Sequence, residues 1–83
     1  SMRVEIDLPL LLPHVEEIRR RLLAQVNGET RQVVFTAPGL DAAGLQLVVA
    51  LRKEFPQVEV ELTPAGPGEI FRGLLAVEVR PDV

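Results

Sequence analysis

Carboxylates at Glu5, Asp7, Glu59 and Glu61 occupy every second position of two short segments, and paired carboxylates are a common general acid–base device. Their regular alternation with Val4, Ile6, Val58 and Val60 supports a simpler account, in which the charges line the wet face of a sheet. His14 is the only histidine and the chain has no cysteine. A metal site would therefore lack the usual second soft ligand, and an exposed, idle histidine beside Pro13 is expected. Gly66-Pro67-Gly68 ahead of a helix could offer backbone N–H groups to an anion. Pro67 removes one donor, however, and Glu69 repels negative charge. Arg19-Arg20-Arg21 reads as a solvated helix face. Ser1 is the only serine and tyrosine is absent, so no nucleophile–base arrangement can be assembled. The expectation is a non-enzyme with no cofactor and no metal.

Composition bounds the rest. Eighty-three residues make one domain, 1–83, with Ser1 ahead of Met2 read as an added leading residue. A chain this short buries only about 60–65% of its unfolded surface. An apolar fraction of 47% against 25% charged is that of a folded globule. Without cysteine there is neither a disulfide framework nor a thiolate site. No run approaches the ~20 apolar residues of a membrane span, and the start lacks the apolar segment of a signal peptide. A net charge of −3 argues against a nucleic-acid partner. No direct membrane insertion and a cytoplasmic setting are expected.

The elements that would position any site follow from periodicity. Residues 3–8 and 57–63 alternate polar and apolar, as strands with one wet face do. Residues 31–36 form a short apolar run, expected to be a buried central strand, and residues 76–80 a weaker final strand. Val15, Ile18, Leu22 and Val26 recur at helical spacing over residues 13–26. Pro13 suits that helix's first turn, and Asn27-Gly28 should give it a left-handed stop. Glu16–Arg20 and Glu17–Arg21 are expected i, i+4 pairs. How Arg21 is turned depends on whether Leu22 or Leu23 marks the core, which the pattern leaves open. A second helix is expected from Asp41 to Phe55, ended by Pro56, and a short third over residues 68–75. Residues 64–68 read as a loop. Strands alternating with helices imply a small two-layer α/β domain with a mostly parallel four-stranded sheet and about three helices.

The second helix is the most informative run. Asp41 is a strong N-cap residue, its charge suited to the positive helix end. From Ala42 to Leu51 only Gln46 is polar. At 100° per residue, Gly44, Leu47, Val48, Leu51 and Phe55 share an arc expected to pack on the sheet. Ala42, Leu45 and Val49 fall in another arc, with Gln46, Arg52 and Lys53 around them. An apolar strip rimmed by polar and basic groups is how a partner site looks. The candidate partner surface is therefore Asp41, Ala42, Ala43, Leu45, Gln46, Val49, Arg52 and Lys53. Cover of Leu45 and Val49 by the first or third helix is the alternative.

The strand ending Val33-Val34-Phe35-Thr36, a short turn, and Leu40-Asp41-Ala42-Ala43-Gly44-Leu45-Gln46-Leu47 resemble the signature of STAS domains, the sulphate-transporter and anti-sigma-factor-antagonist modules. About 70 residues fit the family's order of elements, although only the 41–47 motif is distinctive. The resemblance implies a STAS-like fold, a regulatory interaction module in bacterial signalling, and docking through the helix that Asp41 opens. In phosphorylatable members a Ser or Thr between the Asp and the Gly receives phosphate from a partner kinase, and the added charge disrupts the interface. Here both positions are alanine, Ala42 and Ala43, and Thr36 and Thr63 stand only at strand ends. The usual switch is therefore expected to be absent. The resemblance leaves as partners a kinase-like or chemotaxis protein, a transporter ATPase of bacterial lipid traffic bound constitutively, or a second copy of the chain. Gly44 is expected to permit close approach of helix to sheet.

Overall fold

The structure, a computed structural model, describes residues 2–62 and the backbone of residues 79–80. The expected loop at 64–68, the third helix at 68–75, Thr63, Glu69 and most of the final strand lie outside the described residues.

Strands β1 (Arg3–Ile6), β2 (Gln32–Phe35), β3 (Glu59–Leu62) and β4 (Val79–Arg80) form one sheet in sequential order, every neighbouring pair parallel. Helix α1 (Val15–Gln25) connects β1 to β2, and α2 (Ala42–Glu54) connects β2 to β3. Parallel neighbours need such crossovers, because the chain must return to the same end of the sheet before pairing again. The register aligns Val4, Val33 and Val60 on one face, and Glu5, Val34 and Glu61 on the other. The first face carries the core. Val4, Ile6, Val33, Phe35, Val60 and Leu62 join Ile18 and Leu22 of α1 and Val48 and Leu51 of α2 in one buried cluster. Both described helices thus cover the same face, as a two-layer arrangement requires.

The opposite face carries the alternating charges. Glu5 is exposed, Glu59 and Glu61 are half-buried, and Gln32 donates to the Glu61 carboxylate across the β2–β3 pair. Val34, between Glu5 and Glu61 in register, is only 3% exposed, so β2 is buried on both faces. Asp7 departs from the expected row. β1 ends at Ile6, and Asp7 turns to accept from Arg21 of α1 at 2.8 Å.

Three other expectations at α1 are corrected. The segment expected to be its first turn is a 3-10 turn, Leu12–His14, and the α-helix begins at Val15. Its end is not a left-handed glycine. Val26 leaves the helix in an extended conformation, and Gly39, not Gly28, is the glycine with positive φ among the described residues. Asn27 and Thr30 close the turn instead: Thr30 Oγ1 accepts from Asn27 N at 3.0 Å and Asn27 Oδ1 from Glu29 N at 2.8 Å. Glu17, not Glu16, holds the arginines, taking both Arg20 and Arg21. Leu22 is buried and Leu23 is 74% exposed, which turns Arg21 toward Glu17 and Asp7.

Candidate docking surface on the second helix

The site is built where β1 and β2 end. Past β2 the chain passes Ala37 and Pro38 to Gly39, whose φ of 120° lies in a region that L side chains rarely adopt. That turn sets Leu40 beside Leu10 in an isolated parallel bridge, extending the β1–β2 alignment beyond the strands themselves. Leu10 N donates to Gly39 O at 3.2 Å, and Asp41 N donates to Leu10 O at 3.1 Å. The two connections are thereby laced together before α2 starts.

Asp41 is an extended N-cap residue with both carboxylate oxygens committed. Oδ1 accepts from Gly44 N at 2.9 Å, the capping bond, and Oδ2 accepts from Leu12 N at 2.8 Å. One side chain thus satisfies an orphan donor of its own helix and braces the loop leading to α1. Donation by Gly44 N–H first, and by Leu12 N–H next, holds this carboxyl below the ordinary Asp value, against a smaller opposing effect of desolvation. Gly44 explains why the two segments meet. A Cβ at this position would lie 2.0 Å from Leu10 O and 2.6 Å from Leu10 C, so the helix touches the loop backbone itself. The close approach expected of Gly44 is present, but toward the Leu10 loop rather than a sheet strand.

The helix then sorts its side chains as its periodicity foretells. Gly44, Val48 and Leu51 are buried, while Leu47 and Phe55 pack partly buried against the core. Ala42 and Gln46 are exposed, Ala43, Leu45 and Val49 are half-buried, and Lys53 is exposed. Among the described residues, Leu45 and Val49 do not belong to the buried cluster or to the residues packed on it. Arg52 is half-buried and anchored at one point. Its guanidinium donates to Val58 O at 3.2 Å, tying the last turn of α2 to the entry of β3. The candidate strip thus keeps Ala42, Ala43, Leu45, Gln46, Val49 and Lys53, with Asp41 and Arg52 bonded at its two ends.

On the other flank of α2 lies an apolar groove against α1, floored by Leu22 and Leu51 and walled by Leu23, Leu47, Ala50 and Phe55. Sequence reasoning did not single it out. The available signal was the tandem Leu22-Leu23, which offers one leucine more than the core position uses. His14, expected to be exposed, is instead half-buried where the 3-10 turn meets α1. No group of three or more metal-ligating side chains occurs among the described residues. No helix among them is long and apolar enough to cross a membrane. Comparison with protein-family models, with curated proteins and with solved structures returns no match for this chain.

Proposed function

We propose that the chain is a non-catalytic, STAS-like interaction module that docks on a signalling or regulatory protein through the Ala42–Leu45–Val49 strip of α2. The reading is carried by a single observation: α2 keeps a second apolar strip half-exposed beside its core-facing arc, on a helix start that is braced by both Asp41 oxygens. A braced helix presents its side chains with little ordering left to lose on binding, which favours affinity. The sequential parallel sheet with both described helices on one face is the two-layer arrangement expected from the alternation of strands and helices, and it leaves the outer side of α2 open to a partner. The first turn carries Ala42 and Ala43 where phosphorylatable members have a hydroxyl, so docking here is not released by phosphate at that place.

The test uses a photo-crosslinking residue at Gln46, on the strip, and a control one at Glu5, on the far face of the sheet. In the native cell the Gln46 probe should give one dominant heterologous adduct that the Glu5 probe does not. Val49→Asp should abolish the adduct while leaving the far-UV circular dichroism unchanged. Equal labelling from both positions, or collapse of the fold in Val49→Asp, refutes the docking strip.

A further inference from the structure

The groove on the opposite flank of α2 carries an inference independent of the strip. α1 and α2 each connect parallel neighbours in a sequential sheet, so they run the same way, side by side on one face. The groove between them has a volume of about 300 Å³. Leu23 stands at its edge with 74% of its surface in water, and Ala50 is exposed, with Leu47 and Phe55 half-buried. Two charges border it, Arg19 and Glu54. Neither makes an ion pair or hydrogen bond among the described residues, whereas Arg20, Arg21, Glu17, Arg3 and Glu5 are all paired. Arg19 lies in the second turn of α1 and Glu54 is the last residue of α2, so they stand toward opposite ends of the groove.

We propose that this groove is the face through which two copies of the chain pair as a two-fold homodimer. A surface that meets itself must be self-complementary, residue i of one copy touching j of the other and j touching i. One unpaired cation and one unpaired anion at opposite ends of a single apolar groove meet that requirement. A two-fold axis lying in the interface and crossing the Arg19–Glu54 line sets each Arg19 over the other copy's Glu54. The same operation presents each exposed Leu23 to the apolar groove of its partner. A different protein would need to supply both charges in the reverse order; a second copy supplies them by symmetry.

Sedimentation equilibrium over a concentration series tests this. The wild-type chain should move from its monomer mass of 9.1 kDa toward twice that value as concentration rises. Arg19→Glu, which sets Glu against Glu, should weaken the dimer at least about tenfold, and adding Glu54→Arg should restore it to within about threefold. Leu23→Glu should leave only monomer, with unchanged circular dichroism because that side chain is exposed within one chain. A monomer at every concentration overturns the proposal, whether the groove is then bare or taken by another molecule. So does a dimer indifferent to Arg19→Glu or Leu23→Glu, or one that the paired reversal fails to restore. Loss of the Gln46 adduct described above would leave these outcomes unaffected.

Discussion

Gly44→Ala adds one methyl group, and the local helical preference and the tertiary contact pull its effect in opposite directions. In an isolated helix the change is favourable by about 1 kcal/mol, since glycine costs backbone entropy. Here the new Cβ would fall 2.0 Å from Leu10 O and 2.7 Å from Leu10 Cβ. Non-bonded Cβ contacts essentially never fall below 3.0 Å, so the Leu10 carbonyl must retreat by at least 1.0 Å. It cannot retreat freely. Leu10 is 1% exposed, its N–H donates to Gly39 O, and its carbonyl accepts from Asp41 N. Overpacking of this kind costs about 1–3 kcal/mol, and each backbone bond broken at Leu10 about 1 kcal/mol more. Set against the propensity gain, the net loss is about 2–4 kcal/mol. A chain of this length has roughly 4–12 kcal/mol of stability, so the loss is a large share. Urea unfolding followed by circular dichroism, at one protein concentration, should show the midpoint falling by roughly 1–3 M with an unchanged slope. A midpoint equal to or above the wild type would mean that propensity decides, and that α2 does not touch the Leu10 loop.

Gly39→Ala should lower stability by about 1–2 kcal/mol in the same assay, because φ of 120° strains an L residue and its Cβ would meet Leu11 and Pro9 at 3.2–3.3 Å; a neutral result would remove the requirement for glycine in this turn. Asp41 has a depressed pKa, so its contribution is present above the unfolded value of about 3.9 and is lost as pH falls through the lower folded value. Asp41→Asn should accordingly flatten the acid limb of the stability–pH curve, and an unchanged limb would show that the carboxylate is not the brace. Leu22→Ala should cost about 2–4 kcal/mol and Leu23→Ala less than about 0.5 kcal/mol within the diluted single chain. Equal costs would contradict their assignment to core and surface.

The described strands and the two described helices are largely legible in the sequence because each follows from a local period. The expected helix from Asp41 to Phe55 differs from the observed Ala42–Glu54 only in that the outer residues are its caps. The core arc of that helix was legible for the same reason, as 3.6-residue spacing decides which side chains share a face. What Gly44 touches was not. Leu10 lies thirty-four positions earlier, in a segment that falls between a strand and a helix pattern, and no local period links the two. A period of two continued past Ile6 places Asp7 on the wet sheet face, where β1 has already ended and Arg21 of α1 pairs with it. Asn27-Gly28 reads as a helix stop by composition, yet Thr30 supplies a side-chain partner that ends the helix with extended Val26. Angle alone groups Arg52 with the docking strip, and its bond to the Val58 carbonyl six residues on follows from no helical period. For Gly44 and Asp7 the period assigned the face and a contact distant in sequence assigned the role, whereas for the helix stop and Arg52 a side-chain bond within a few residues did so.

That division sharpens what a partner of the strip must be. The Asp41 carboxylate is held by Gly44 and Leu12, and the Arg52 guanidinium by one bond to Val58, so both side chains are positioned at the ends of α2. In the proposed docking mode, recognition rests on the apolar Ala42, Leu45 and Val49, with Gln46, Arg52 and exposed Lys53 at the edge. Such a surface favours an apolar helix or strand bearing an acidic rim, and its affinity should sit chiefly in the apolar anchors. Lys53, a rim charge, would mainly set the association rate and its sensitivity to salt. A partner whose binding is lost on Val49→Asp but merely slowed, and more so at low ionic strength, on Lys53→Glu would fit the strip. The reverse pattern would place the energy in charge rather than in the apolar face, and α2 would then be a scaffold for some other surface.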